Sequence, residues 1–294
     1  MITDAPTLED AVSRLFGRGV SVHASRNLGG GCINRASAVT LSDGTVVLVK
    51  ENAGTPRDLF ETEARGLQVL HDAPGPRVPR PLACHAGEDG QFLITEYVSS
   101  GARRPNFFEI FGRQLATMHR ETTWSGFGFD TDNYLGATRQ VNSPTTSWIE
   151  FFRDHRLGYQ IDLAEGLGHA NRTMSRAVRG VMERLNDLIL EPDKPALLHG
   201  DLWAGNYMVG EAGEPVIIDP AVYYGHPEAD LAMTELFGGF SPPFYDACME
   251  GNPLEPGYAT RKEVYNLYHM LNHLNIFGSG YAGSVMAIAE RFVR

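Results

Sequence analysis

A two-lobed α+β fold is what this 294-residue sequence predicts: a small antiparallel-sheet lobe over residues 1–98, then a larger, mostly helical lobe over 99–294. Three observations carry that prediction. Short alternating apolar runs, separated by glycine turns, crowd the first hundred residues. Patterns of helical period fill most of the rest. Between them, residues 99–105, SSGARRP, shift to Gly, Arg and Pro and read as a hinge.

The elements follow in order. TLEDAVSRLF, residues 7–16, is an amphipathic helix that Thr7 caps, with Asp10 in its first turn and Gly17 stopping it. VSVHASRNL and RASAVTL flank the loop GGGCIN, 29–34. A turn at Ser42, Asp43 and Gly44 leads to the strand TVVLVK, 45–50, so these runs make a three-stranded antiparallel start. PRDLFETEARGLQVLH, 56–71, is a helix burying Leu59, Phe60, Leu67 and Leu70, with Pro56 in its first turn. A proline-rich connection leads to two further strands, the second being QFLITEYV, which ends near Val98. Beyond the hinge, helical patterns cover 106–121, 147–166, 176–190, 261–278 and 282–293. No internal repeat or low-complexity segment interrupts them.

Composition excludes several classes of partner. A formal net charge of −11 without a basic stripe argues against nucleic acid. No run reaches the ~18 consecutive apolar residues of a membrane span. Three cysteines, an odd number without metal-ligand spacing, and a start lacking a secretory signal fit a reducing, cytoplasmic setting.

The chemistry concentrates in LLHGDLWAGN, 197–206. His199-x-Asp201 followed by Asn206 has the spacing of a phosphotransferase loop. A substrate hydroxyl is a poor nucleophile, so a carboxylate at Asp201 would orient it and accept its proton. Asn206 offers a neutral carbonyl oxygen suited to Mg²⁺. Thirteen residues on, Asp219 ends the apolar run PVIID. A hairpin turning at 210–213 would bring it back towards Asn206 as a second hard oxygen ligand. Lys50, at the end of its strand, is placed to reach nucleotide phosphates; a solvated edge charge is the plainer reading of such a lysine. Glu63 is its expected ion-pair partner, preferred to Glu61 because it lies one turn before Leu67. The glycine loop, with Gly30, Gly31 and Asn34 as nucleotide-facing candidates, suits phosphates or simply a tight hairpin turn. Backbone groups from Glu96 to Val98 are expected to hydrogen-bond adenine. Asp230 either holds the catalytic loop rigid or caps a helix, and His199 supports the same loop.

With HGDLWAGN and IIDPAVYYGHPEADLAM in view, the sequence resembles the fructosamine kinase (ketosamine 3-kinase) family. The likeness extends through VLVKEN, FETEARGL, FLITEYV, GFGFDTDNYLGATRQVN and SWIEFFRDHRLGYQ, nearly the whole chain. It implies a protein-kinase-like fold and use of ATP and Mg²⁺. The implied reaction phosphorylates the 3-hydroxyl of a ketosamine, free or on a glycated protein, to an unstable product that releases the amine. By motif, Asp201 is then the general base, Asn206 and Asp219 bind magnesium, and Lys50 with Glu63 positions the phosphates. Trp203 is the implied sugar-facing residue, with core packing as its alternative. Two other readings stay open: a kinase for another small hydroxyl compound, such as an aminoglycoside or choline, and a nucleotide-binding module without turnover. Cys32, in the glycine loop, is either an inert thiol or a redox-sensitive one able to link two chains.

Overall fold

The computed structural model describes residues 3–29, 35–53, 56–87 and 90–293. In chain order the elements are β1 (Thr3–Asp4), α1 (Leu8–Phe16), β2 (Val22–Leu28), β3 (Arg35–Leu41), β4 (Val46–Asn52), α2 (Leu59–Asp72), β5 (Pro81–Gly87) and β6 (Gly90–Glu96). Next come α3 (Phe107–Glu121), β7 (Asn133–Leu135), β8 (Thr138–Gln140), α4 (Trp148–Phe151), α5 (Tyr159–Gly166), α6 (Arg172–Glu183) and α7 (Leu185–Leu188). The chain closes with β9 (Ala196–Leu198), β10 (Tyr207–Val209), β11 (Pro215–Ile217), β12 (Tyr223–Gly225), α8 (Pro227–Leu236), α9 (Pro242–Gly251), α10 (Tyr258–Phe277) and α11 (Ala282–Phe292). These form two compact units. The first is Met1–Ala73, Arg77–Phe107 and Met208–Asp219; the second is Pro74–Pro76, Phe108–Tyr207 and Pro220–Arg294.

The first unit is built on a six-stranded sheet in the order β1-β5-β6-β4-β3-β2. Its pairs are antiparallel apart from β1, which joins β5 in parallel. Thr7 caps α1 by accepting the Asp10 N–H at 3.1 Å, and the Gly17 N–H closes the helix on the Ser13 carbonyl. The buried Ala11 and Val12 then share one core with Val39, Leu41, Val47, Val49, Ala83 and Ile94. Because strand side chains alternate, Val47 and Val49 facing that core put Lys50 on the opposite face. There α2 packs on β5 and β6, burying Phe60, Ala64, Leu67 and Leu70. The β10–β11 hairpin turns at 210–213, where the Gly213 N–H reaches the Gly210 carbonyl at 2.9 Å. Its second strand is tied to the first unit by the Ile217 N–H on the Arg77 carbonyl, 2.9 Å.

In the second unit α10 is central, packing on α5, α8 and α11 and burying Val264, Tyr265, Leu267, Tyr268, Leu271 and Leu274. The single helix expected over 147–166 is broken in the middle: Phe152–Gly158 wind as a π-helix between α4 and α5. The pattern over 176–190 resolves into α6, which starts earlier at Arg172, and the separate turn α7. The β7–β8 hairpin and α9 have no counterpart in the sequence reading, since neither shows a regular apolar period. No helix among the described residues is long and apolar enough to cross a membrane.

Candidate active site

The loop after β9 is held from behind by one carboxylate. Asp230, almost fully buried in the first turn of α8, accepts the His199 N–H at 2.8 Å and the Gly200 N–H at 2.9 Å. His119 Nε2 lies 3.0 Å from the same group. Burial alone would raise its pKa. The hydrogen bond and charge of His119, with His199 and the Gly200 N–H, outweigh that and hold it below the usual carboxylate range. The helix cap is instead His226, whose Nδ1 accepts the Glu228 N–H at 3.1 Å. Gly200 has φ +82°, and a Cβ there would lie 2.0 Å from the Ala221 carbonyl oxygen. Only glycine fits so close an approach.

Asp201 projects from this loop, half-buried, with its N–H 3.3 Å from His199 Nδ1. The Asn206 amide donates both to the Asp201 carbonyl at 2.8 Å and to its carboxylate at 2.9 Å. That fixes the amide's orientation: its nitrogen is spent on Asp201, so Oδ1 is the atom it offers to a cation. A carboxylate braced in this way, on a loop with a fixed backbone, is fitted to receive a proton from a hydroxyl.

In the first unit, Lys50 on β4 and Glu63 on α2 form an ion pair of 2.5 Å. Asp219 also binds the Lys50 ammonium, a contact the sequence reading did not foresee. Burial opposes the charge on Lys50, but the Glu63 and Asp219 carboxylates overcome it and raise its pKa. Asp219 itself is half-exposed and is the one non-glycine with positive φ, +54°, among the described residues. Backbone strain of that kind concentrates at functional positions.

The strand end at Glu96 is less open than expected. Its N–H donates to the Arg80 carbonyl at 2.9 Å and its carbonyl accepts the Thr95 hydroxyl at 3.2 Å, so the backbone of Glu96 is already engaged on both sides. The Glu96 carboxylate binds Arg77, which also reaches Glu211 and Glu214 on the β10–β11 turn at 2.8 and 2.6 Å. One guanidinium thus joins the end of β6 to the hairpin that leads to Asp219.

Trp203 is exposed, 36% of its surface, and so is not a core residue. Its ring meets Phe237 edge-on at 5.8 Å. Phe237 continues to His273, and His273 to Phe277 and Tyr281. This aromatic row, drawn from three separate stretches of sequence, was not legible beyond its first member. Gly30, Gly31, Cys32 and Asn34 lie outside the described residues. Among those described, no group of three or more His, Cys, Asp or Glu side chains gathers as a metal site. Magnesium commonly takes one or two protein ligands and completes its shell with water and phosphate; the Asn206 amide oxygen in the second unit and the Asp219 carboxylate in the first are each donors of that kind.

Known proteins resemble this chain along almost its whole length. A chloroplastic protein-ribulosamine 3-kinase of Arabidopsis thaliana is 40% identical over 285 residues, 95% of this chain and 85% of its own. A solved structure named as a fructosamine-3-kinase, from Thermobifida fusca, is 33% identical, covers 99% of both chains and superposes with a TM-score of 0.86. At 17% identity, a mutant of the aminoglycoside phosphotransferase APH(4)-Ia, solved with AMP-PNP and hygromycin B, shares the kinase-like fold, with a TM-score of 0.67 over 98% of both chains. The fructosamine kinase profile matches residues 5–294, and the chain, with its braced Asp201 loop and Lys50–Glu63 pair, belongs to the fructosamine kinase family.

Proposed function

We propose that this protein transfers the γ-phosphoryl group of ATP to the 3-hydroxyl of a ketosamine, a sugar joined as a ketoamine to an amine. The observation that carries the reading is Asp201, braced by Asn206 and by the Asp230-held backbone, with an exposed indole two residues away. Asp201 accepts the hydroxyl proton as the oxygen–phosphorus bond forms and the bond from phosphorus to the β,γ-bridging oxygen breaks, releasing ADP. Lys50 leaves its pairing with Asp219 to meet phosphate oxygens, while Glu63 keeps it oriented. Asn206 and Asp219 would hold magnesium, which neutralises charge developing on the phosphates. Trp203 presents an apolar ring face to the C–H side of the sugar. The row behind it extends that surface towards the amine end of the acceptor. The names of the relatives favour a ribulose or fructose adduct, on a small amine or on a protein lysine.

The test is ATP consumption with Mg²⁺, offering ribulose-lysine and fructose-lysine beside kanamycin and choline. Turnover confined to the sugar-lysines is expected; turnover of kanamycin or choline alone would refute the substrate assignment. Asp201→Ala should lower kcat by about 10²–10⁴-fold with ATP binding retained, measured by turnover and by nucleotide titration.

A further inference from the structure

A buried cation lies in the second unit, and phosphoryl transfer as described makes no use of it. Arg156 sits in the π-helical segment with none of its surface exposed. The partners it has are neutral. Nη1 donates to the Val141 carbonyl at 2.6 Å and Nη2 to Asn142 Oδ1 at 2.8 Å. The guanidinium lies over the rings of Tyr223 and Phe151, at 4.1 and 4.4 Å, while its Nε finds no acceptor among the described residues. A charge buried in this way costs stability that an apolar side chain of similar size would not. Its presence therefore calls for a geometric reason.

The hydrogen bonds supply one. Asn142 donates to Asn133 Oδ1 at 3.0 Å, and Gln140 donates to the same oxygen at 2.7 Å. Gln140 also donates to the Ala221 carbonyl at 3.0 Å, and Asn133 to the Val222 carbonyl at 2.7 Å. All three amides are buried, so they bind backbone that would otherwise have no partner of this rigidity. On the other side of that backbone, the Ala221 N–H donates to the His199 carbonyl at 2.9 Å. The Tyr223 ring, with Arg156 over it, lies 3.3 Å from where a Cβ on Gly200 would sit. Arg156 is thus linked to the two residues before Asp201 by two routes, one of amides and one through an aromatic ring.

We propose that Arg156 is a positioning residue for phosphoryl transfer: it orders the Asn142–Asn133–Gln140 amides and the Tyr223 ring so that residues 221–223 fix the loop presenting Asp201. The placement is a property of the fold; only what Asp201 does there rests on the kinase reading. Arg156→Met keeps the length of the side chain and removes both charge and donors, and Arg156→Lys keeps the charge but loses the planar fork.

The full-length variants are compared by hydrogen exchange and by steady-state kinetics. In Arg156→Met, exchange over 196–206 and 221–225 should quicken about tenfold or more, with α2 and α11 as protected as in the wild type. Its kcat should fall roughly a hundredfold, the usual effect of a small misplacement. Its KM for ATP should stay within about threefold, because the lost interaction belongs to the transition state. Arg156→Lys should lie between the two proteins in both readouts. Exchange that quickens uniformly along the chain, with kcat per folded molecule unchanged, would make Arg156 merely structural and overturn the proposal. Wild-type loop protection in Arg156→Met would overturn it equally. Should the wild type turn over no sugar-amine, the substrate reading fails by itself, and the exchange comparison alone decides for or against Arg156.

Discussion

Two charged clusters of this protein are built on opposite plans. Around Lys50, one ammonium is shared by two carboxylates, and one of these, Asp219, stands half in solvent on a strained backbone. Around Asp230, one carboxylate takes two backbone N–H groups and a histidine, all buried. The first cluster has more carboxylates than its cation needs and an exposed member, so a nucleotide can displace one pairing with another at little desolvation cost. The second has no slack, because leaving any of its donors unpaired in the interior would be costly. One is made to exchange partners and the other to stay still. That division matches a reaction in which nucleotide comes and goes while the accepting carboxylate must not move.

Breaking the rigid cluster should have the larger effect. Asp230→Ala is expected to destabilise the protein by about 3–5 kcal/mol, the usual result of removing one partner from a buried charged network, read from urea or thermal unfolding. A loss under 1 kcal/mol would mean that the loop holds itself. Acid should act on the same unit without mutation. Burial keeps His226, the cap of α8, and His269 on α10 neutral down to about pH 3, whereas in the unfolded chain histidines protonate near 6.5. The unfolded state therefore binds more protons between those limits, and stability must fall as pH drops from about 6.5 towards 3. Each ring contributes roughly 1.4 kcal/mol per pH unit across that window. Unfolding midpoints measured at pH 7 and 5 check this, and equal midpoints would contradict it.

The exchangeable cluster should respond in binding as well as in folding. Lys50→Met is expected to weaken ATP binding by about 10- to 100-fold, the worth of a charge-assisted hydrogen bond, and also to cost stability, because it leaves the buried Glu63 carboxylate without its cation. A large drop in stability with unchanged ATP affinity would reverse the assignment of the two clusters. The smallest effect is expected at Trp203→Ala: a rise of about two- to tenfold in acceptor KM, as fits one aromatic face, with ATP KM unaffected.

What was legible in the sequence follows from what each feature depends on. The α2 helix and the β3–β4 hairpin show because local periodicity and a turn at Asp43 and Gly44 specify them without reference to the rest of the chain. Lys50 and Glu63 could be paired because strand alternation and a helix turn fix which way each points. The Lys50–Asp219 contact could not, since it joins residues 169 apart through a hairpin whose docking no local pattern encodes. Arg156 was hidden for a different reason. In RDHRLG it looks like one more charge, and nothing in the local composition signals either its burial or the π-helical winding in which it sits. The amides that meet it come from GFGFDTDNYLGATRQVN, a stretch quoted for its family likeness but silent as to which of its polar side chains are buried.

That winding has a consequence for the helix as a whole. Each residue of an α-helix advances about 100° around the axis, so the wider turns of a π segment delay the angular phase of all that follows. The stretch from Trp148 to Gly166 is therefore two faces out of step. Trp148 and Phe151 are buried before the segment, Phe152 at its start, Ile161 and Ala164 after it, and Arg156, Leu157 and Gly158 are buried consecutively where the phase slips. Deleting one residue here would turn Ile161 and Ala164 by about 100° relative to Trp148 and Phe151, so the spacing of this segment is under as tight a constraint as its composition.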